Sequence, residues 1–314
     1  MKQIGRNEFV DCSPEELAEG IRQLAKRWKK RTAAVSLGLG RRRRGGSLGD
    51  EWCVKFYVAR KVKRPGKRKK VPGHISLHVV SKGQQHTIQL PTDVVSVEGL
   101  KHNDAQVGRI AFIYNEYSQK AQGSAAALVE EPVTKERFLL TAGHVTARNM
   151  EVAPAILGER VLDEDGNVVG TLAYAPDLAS IPVDAALVRL SVNSVSSLLR
   201  RIDDRPVTEV CPFQEVRTGV PYTMLSWVKQ RPMIYHGVSF DFPYTYKVGG
   251  VIFPIILHFD CSATGGDSGS LVVDDRNRAV GMHVLGIEGS DSFCLPIDHI
   301  LRQCTPGNPL KIIT

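Results

Sequence analysis

The sequence lacks the features that mark membrane, secreted and nucleotide-binding proteins. No apolar run reaches about 18 residues, so we expect no transmembrane helix and no membrane partner. The first residues, MKQIGRNEFVDCSPEELAEG, contain no apolar core and no small-residue cleavage site, so we expect no secretory signal and a cytoplasmic location. No dinucleotide-binding or P-loop signature occurs, and we expect no cofactor.

Cysteine is scarce and is not arranged to bind a metal. None of the six cysteines stands in a C-x-x-C pair, so we predict no zinc site and no other metal. Without a secretory signal, we expect six reduced thiols. The cysteines are Cys12, Cys53, Cys211, Cys261, Cys294 and Cys304.

Acidic residues are under-represented in the first third of this 314-residue chain. Residues 1–100 carry 22 lysines and arginines against 9 aspartates and glutamates, whereas residues 101–314 carry 19 against 24. The net charge of +8 therefore comes from the N-terminal part. This asymmetry predicts two functionally different parts.

Two basic runs, Arg41–Arg44 and Lys61–Lys70, hold much of this charge. Such runs are typical of segments that contact nucleic acid through its phosphates, and an acidic protein partner is equally compatible. A solvated loop without a partner is the simpler interpretation, because aromatic residues are not interleaved to stack on bases. These alternatives stay open at this point.

The N-terminal part is predicted to hold one helix and a small β-rich unit. Apolar residues of segment 13–31 recur at spacings of three and four, which is typical of an amphipathic helix. Segment 41–47, RRRRGGS, predicts a mobile basic loop. Alternating β-forming residues predict strands over 52–62, 74–80 and 86–97.

The remaining chain is predicted to be mainly β. From about residue 107, short β-forming segments are separated by turn residues and little helix is expected, a pattern typical of barrels and sandwiches. The segment 296–304, PIDHILRQC, predicts a final helix that starts at a proline.

Three segments of this part carry residues suited to hydrolysis by a serine, which needs a base, a group that orients the base, and donors for the oxyanion. LLTAGHVTA presents His144 at the end of a strand, PVDAALVRL places Asp184 before an apolar run, and TGGDSGS places Ser268 in a glycine-rich turn. Taken singly, each has a structural interpretation as a strand end, a turn or a hairpin. Asp177, in YAPDLAS, is the alternative orienting carboxylate.

In the order His, Asp, Ser, these segments resemble the chymotrypsin-like, or trypsin-like, serine proteases. TAGH is similar to the family motif TA-x-H, DAAL to D-[IA]-A-L, and GDSG to the motif at the nucleophile. The resemblance implies a chymotrypsin-like double β-barrel, with barrels over about 107–195 and 205–295 in a protease domain of residues 101–314. In such a fold Cys261 and Cys294 approach each other, which leaves a disulfide as an alternative to two thiols.

The resemblance also implies a role for each residue. Ser268 attacks the scissile carbonyl and forms an acyl-enzyme, His144 takes the serine proton and returns it to the leaving amine, and Asp184 holds His144 in the correct tautomer. The backbone N–H groups of Gly266 and Ser268 form the oxyanion hole. The expected activity is that of a serine endopeptidase acting on a protein or peptide substrate.

The substrate pocket has a weaker resemblance. GMHVLG (281–286) is similar to the G-x-H-x-x-G pattern of bacterial glutamyl endopeptidases and picornavirus chymotrypsin-like proteases. This implies that His283 lines the pocket and selects Glu or Gln, helped by Thr264 or Ser262. Those families have the threonine one position earlier, where this chain has Ala263. A core histidine and a small or apolar preference remain alternatives.

The β-rich unit, residues 47–100, is similar to the segment before the protease domain in many intracellular bacterial trypsin-like proteins, through PTDV (91–94) and Gly99. Residues 1–46 are then a helix and a basic linker. No cleavage sequence with an Ile-Val-Gly-Gly start occurs before residue 110, so we expect the intact N-terminal region to control the site. A bacterial origin and a role in stress or defence rest on the resemblance alone.

Two other functions compete with this interpretation. The chain could be a basic module that binds nucleic acid or protein and carries a latent triad, or an acyl hydrolase that acts on non-peptide esters. A comparison of peptide and ester substrates separates the second from a peptidase.

Overall fold

The computed structural model describes residues 12, 14–44, 47–61, 70–98, 113–118, 121–148, 154–191, 207, 209–226, 230–246, 249–305 and 307–313. The chain divides into two compact units. Unit 1 consists of residues 1–99, 236–243 and 252–258, and unit 2 consists of residues 100–235, 244–251 and 259–314.

Unit 1 combines a helix with a β-sheet, as the sequence predicts. The helix α1 covers Pro14–Thr32. The strands are β1 (Ala34–Arg44), β2 (Ser47–Val58), β3 (His74–Ser81) and β4 (Gln84–Ser96). They pair in the order β1-β2-β4-β3, with β2 and β4 parallel and the other neighbours antiparallel.

The apolar face of α1 packs on this sheet. Ile21 and Leu24 of the helix share one core cluster with Leu77 of β3. Gly20 allows the close approach of helix and strand, because a Cβ at this position would lie 2.7 Å from the carbonyl oxygen of His78. The burial of the helix stripe against the sheet therefore stabilises α1.

The basic run Arg41–Arg44 is the end of a strand. Arg41 pairs with Trp52 and Arg44 pairs with Ser47 of β2. The guanidinium carbon of Arg41 lies 4.7 Å from the centre of the Trp52 ring. The expectation of a mobile loop over 41–47 is therefore wrong for these arginines, because ladder pairing and a cation–π contact hold them. Residues 62–69, most of the second basic run, lie outside the described residues.

Unit 2 contains an eight-stranded sheet that carries two of the candidate site segments. Its strand order is β19-β7-β8-β11-β10-β9-β5-β6. The strands are β5 (Ile113–Asn115), β6 (Gln122–Gly123), β7 (Ala125–Glu130), β8 (Arg137–Thr141), β9 (Arg160–Asp163), β10 (Val168–Tyr174), β11 (Ala186–Leu190) and β19 (Lys311–Ile312). The short helix α2 (Gly143–Thr146) follows β8.

The nucleophile segment lies among strands of an 11-stranded sheet. Within that sheet these strands pair in the order β13-β16-β17-β18-β15-β14, and a further pairing of β13 with β14 closes this part into a ring. The strands are β12 (Glu209–Val210), which pairs with β17, β13 (Pro221–Leu225), β14 (Gln230–Tyr246), β15 (Gly249–Asp260), β16 (Leu271–Asp274), β17 (Arg278–Ile287) and β18 (Asp291–Pro296). The long strands β14 and β15 contain residues of both units. The helix α3 (Ile297–Gln303) begins after Pro296, as predicted.

The fold is mainly β, with two curled sheets that fit a double β-barrel, and the predicted fold class is confirmed. The six cysteines all lie in the described ranges and form no disulfide. Among the helices of these ranges, none is long and apolar enough to span a membrane.

Candidate active site

The histidine of the site lies where a strand of the first sheet ends. β8 ends at Thr141, and α2 turns the chain so that His144 is buried. β8 pairs with β11, with Thr141 opposite Ala186. Because Asp184 precedes β11 by two residues, this pairing brings it next to His144.

His144 and Asp184 are joined by two hydrogen bonds. The backbone N–H of His144 donates to Oδ1 of Asp184 at 2.9 Å, and its ring Nδ1 lies 2.7 Å from Oδ2. A carboxylate only accepts hydrogen bonds, so the ring proton belongs on Nδ1 and the lone pair on Nε2. This tautomer is the one that a general base acting through Nε2 requires.

A third donor to Asp184 was not predicted from the sequence. The hydroxyl of Tyr246, the last residue of β14, donates to Oδ2 of Asp184 at 2.9 Å. Burial, and then the Asp184 charge, raise the pKa of Tyr246 well above its usual value, so the hydroxyl keeps its proton. No motif signals this residue, because it lies 62 residues after the aspartate.

Ser268 lies in a tight turn between β15 and β16. Gly266 and Gly269 adopt φ values of +89° and +85°, a region that favours glycine. A Cβ on Gly269 would lie 2.1 Å from the carbonyl oxygen of Ser124. Ser124 fixes the turn, because its N–H donates to the Ser268 carbonyl at 2.7 Å and its hydroxyl donates to the Gly266 carbonyl at 2.8 Å.

Both candidate oxyanion donors are available in this turn. In the described part of the chain, the N–H groups of Gly266 and Ser268 donate no hydrogen bond, whereas the N–H of Gly269 donates to the carbonyl of His283 at 2.8 Å. The two N–H groups are therefore suited to stabilise a negatively charged oxygen.

The nucleophile and the base are not yet hydrogen-bonded to each other. The Ser268 hydroxyl has no hydrogen-bond partner among the described residues. The exposed fractions of Ser268 and His144 are 0% and 1%. Hydrogen bonds between catalytic groups are often long in enzymes without substrate and tighten on binding.

Asp267, which precedes the nucleophile, is fully buried and has several donors. The hydroxyl of Ser226 donates to Oδ1 at 2.5 Å, and the N–H of Thr264 donates to Oδ2 at 2.7 Å. The guanidinium of Arg231 lies 2.8 Å from Oδ2. These contacts neutralise a buried carboxylate and hold the turn in shape.

Arg231 also connects the predicted pocket residues Ser262 and Thr264 to this turn by hydrogen bonds. Its guanidinium donates to the hydroxyl of Thr264 at 2.7 Å and to the carbonyl oxygen of Ser262. The Thr264 hydroxyl also lies 3.3 Å from Asp267. The side chains of Ser262 and Thr264 were predicted to contact substrate. In this structure Thr264 takes part in the anchor of the turn, and sequence patterns gave no sign of Arg231.

His283 lies on β17, directly beside the nucleophile turn. Its N–H donates to the carbonyl of Ser270 at 2.9 Å, and its side chain is buried. Burial, and then the charges of His144 and Arg231, lower the pKa of His283 to about 3. The imidazole is therefore neutral at neutral pH.

The alternative orienting carboxylate does not meet the histidine. Asp177 is exposed, and its carboxylate accepts hydrogen bonds from the N–H of Ala179 at 3.1 Å and from the hydroxyl of Ser180 at 3.0 Å. Asp177 therefore stabilises a turn, and it is Asp184 that His144 contacts.

Comparison with known proteins finds one family model and several similar solved structures. Residues 127–282 match the family model of the trypsin-like peptidase domain. Similar solved structures include Thermobifida fusca Protease A, at 20% identity over 65% of this chain and 96% of that chain, with a TM-score of 0.44. Cellulomonas bogoriensis chymotrypsin is similar at 17% identity over 65% and 96%, with a TM-score of 0.42. No curated protein has a matching sequence.

Proposed function

Since residues 127–282 match the family model of a trypsin-like peptidase domain, we propose that this protein is a serine endopeptidase that uses Ser268, His144 and Asp184. The observation that carries the proposal is the pair of hydrogen bonds between His144 and Asp184, 2.9 and 2.7 Å long. They hold the imidazole in the tautomer that can accept the serine proton.

Each residue then has one step in the reaction. Ser268 Oγ forms a bond to the carbonyl carbon of the substrate while its proton passes to Nε2 of His144. The N–H groups of Gly266 and Ser268 stabilise the carbonyl oxygen as it becomes negative. His144 gives the proton to the leaving amine as the C–N bond breaks, and water then hydrolyses the acyl-enzyme by the same route.

For the residue before the cleaved bond, we propose Glu or Gln. A neutral His283 can exchange hydrogen bonds with a carboxyl or amide group, and Arg231 places a positive charge near it. Ser262 stands where trypsin has the aspartate that binds Lys or Arg, so a basic residue lacks its counter-charge. A peptide library with each residue in turn before one cleaved bond tests this preference, and cleavage after small apolar residues alone would contradict it.

We propose further that the site is latent in the intact chain. Ser268 and His144 are buried, so a substrate carbonyl reaches Oγ only after neighbouring groups move. Asp267 already has its ion pair with Arg231, which is consistent with control that does not need a new N-terminus. The N-terminal region, with its basic runs at Arg41–Arg44 and Lys61–Lys70, is the proposed regulator, and nucleic acid or an acidic protein its proposed ligand.

The central test uses a fluorophosphonate probe that labels activated serines. Purified full-length protein is treated with the probe beside Ser268→Ala and a matched control, Ser270→Ala, which removes another fully buried serine hydroxyl from the same turn. Because the site is latent, we expect slow labelling of wild type and of the control, and none of Ser268→Ala. Equal labelling of Ser268→Ala would show that another serine reacts.

A second arm addresses latency and its ligand. The labelling rate of wild type is measured alone, with double-stranded DNA and with polyglutamate, each at two salt concentrations. We expect one polyanion to increase the rate and added salt to reduce that increase, since phosphate and carboxylate contacts are screened by ions. An unchanged rate with both would contradict regulation through the basic runs.

A further inference from the structure

The carboxylate of Asp184 accepts two hydrogen bonds from His144 and a third from another residue. The third comes from the hydroxyl of Tyr246, at 2.9 Å from Oδ2. This is the same oxygen that lies 2.7 Å from Nδ1 of His144. The phenol and the imidazole therefore share one carboxylate oxygen.

We propose that Tyr246 is a positioning residue for the triad. Its hydroxyl holds the Asp184 carboxylate in the orientation that His144 needs and partly neutralises the negative charge of that carboxylate. This inference rests on the proposed peptidase function. Tyr246 does not touch the substrate, and its effect passes through Asp184.

The surroundings of the pair make the contact specific. Tyr246 and Asp184 are 4% and 0% exposed, so bulk water does not compete for the carboxylate. The Tyr244 ring packs edge-on against the Tyr246 ring, with 5.1 Å between the ring centres, and this limits where the hydroxyl can point. With its raised pKa, Tyr246 stays protonated, and its hydroxyl can only donate to the carboxylate.

Removal of the hydroxyl has two consequences for His144. Asp184 loses one of the bonds that fix its rotation, so the two-point contact with His144 loosens and the turnover number falls. Without this donor, the negative charge of the Asp184 carboxylate is also less neutralised. That charge stabilises the protonated imidazole, so the acidic limb of the pH–rate profile moves to higher pH.

A purely structural tyrosine would behave differently. It would lower the stability of the fold when changed, but the pH dependence of the reaction would stay where it is in wild type. The direction of the shift in the pH–rate profile is therefore the informative measurement.

The experiment compares Tyr246→Phe with Tyr235→Phe in the full chain. Tyr235 is a buried tyrosine of the same strand, β14, and its ring packs against Tyr222 and Phe259. For each protein, the rate of Ser268 labelling by the fluorophosphonate is measured from pH 5 to 9, together with the melting temperature. Where a peptide substrate is cleaved, kcat and KM are measured separately.

We expect Tyr246→Phe to reduce the labelling rate and kcat about tenfold, with KM little changed, and to shift the acidic limb of the profile to higher pH. Tyr235→Phe should leave the profile in place. A Tyr246→Phe profile that superimposes on wild type would overturn the proposal. Absence of labelling in wild type, both alone and with each polyanion, would instead count against the proposed function, so the two failures are distinguishable.

A second variant keeps the test valid if Tyr246→Phe does not fold. Replacement of Tyr246 by 3-fluorotyrosine keeps the shape of the ring and makes the hydroxyl a stronger donor. The proposal then requires the acidic limb to move to lower pH, opposite to the Phe variant. A profile that is unchanged or that moves the other way would contradict the inference.

Discussion

Arg231 and Asp267 form an ion pair of 2.8 Å next to the nucleophile, and Asp267 is the residue that directly precedes Ser268. The Asp267 side chain is completely buried and that of Arg231 is 15% exposed. The charge that fixes the nucleophile turn is therefore supplied from within the chain, by the first part of β14.

Loss of this ion pair should disrupt the turn. Arg231→Met leaves a buried carboxylate without its cation, which typically destabilises a protein by about 3–5 kcal/mol. We expect a lower melting temperature and at least a tenfold slower labelling of Ser268. Arg189→Met is the matched control, because the Arg189 pair with Glu136 is 57% and 48% exposed and contributes little. Equal effects of the two variants would argue against the anchoring role.

The backbone of the turn should not tolerate a side chain at position 269. Gly269→Ala places a Cβ 2.1 Å from the carbonyl oxygen of Ser124 and also forces alanine into a positive φ. Gly166→Ala is a control with a similar φ of +80° and no atom within 4 Å of its Cβ. Urea unfolding should show a loss of roughly 1–2 kcal/mol for the control, from backbone strain alone, and a larger loss for Gly269→Ala.

The stability of the fold should depend on pH through His283. Its pKa falls to about 3 in the folded state, below the usual value near 6.5 of an unfolded chain. The unfolded state therefore binds the extra proton first as the pH falls below 6.5. Folding stability from this group is lost between pH 6.5 and about 3, at up to about 1.4 kcal/mol per pH unit.

His283→Leu tests this dependence. We expect the melting temperature of the variant to fall less between pH 7 and pH 4 than that of wild type, because the substitution removes the buried neutral imidazole. An exposed histidine of unit 1, changed as His78→Leu, should leave the slope as in wild type. If the pH dependence of the melting temperature is the same in His283→Leu as in wild type, other groups cause the loss of stability at acid pH.

The tautomer of His144 should depend on Asp184. Asp184→Asn replaces an acceptor with a group whose N–H can face Nδ1, which favours a proton on Nε2 and removes the base. We expect the labelling rate to fall by a factor on the order of 10⁴. Asp177→Asn is the matched control, since that carboxylate accepts hydrogen bonds from its own turn. A comparable loss in the control would reopen the choice of the orienting carboxylate.

The sequence alone determined the fold class and the segments that hold the three proposed catalytic residues. Period-two alternation indicates strands, and the glycines around Ser268 indicate a turn with positive φ. Both depend on the local backbone conformation, so short stretches of sequence are enough to predict them. The helix α1 and the strands β2, β3 and β4 are confirmed for the same reason, whereas β1 was not predicted. The error at Arg41–Arg44 has the opposite cause, since ladder pairing with β2 overrides the weak strand preference of four arginines.

Only the tertiary structure decided which distant groups meet the site. Tyr246 contacts Asp184, which lies 62 residues earlier in the chain. Arg231 of β14 contacts Asp267, which lies in the turn between β15 and β16. A tyrosine and an arginine in a strand carry no local sign of such partners, because the contacts follow from barrel closure and not from spacing. The same holds for the burial of Ser268 and the low pKa of His283, which depend on everything packed around them.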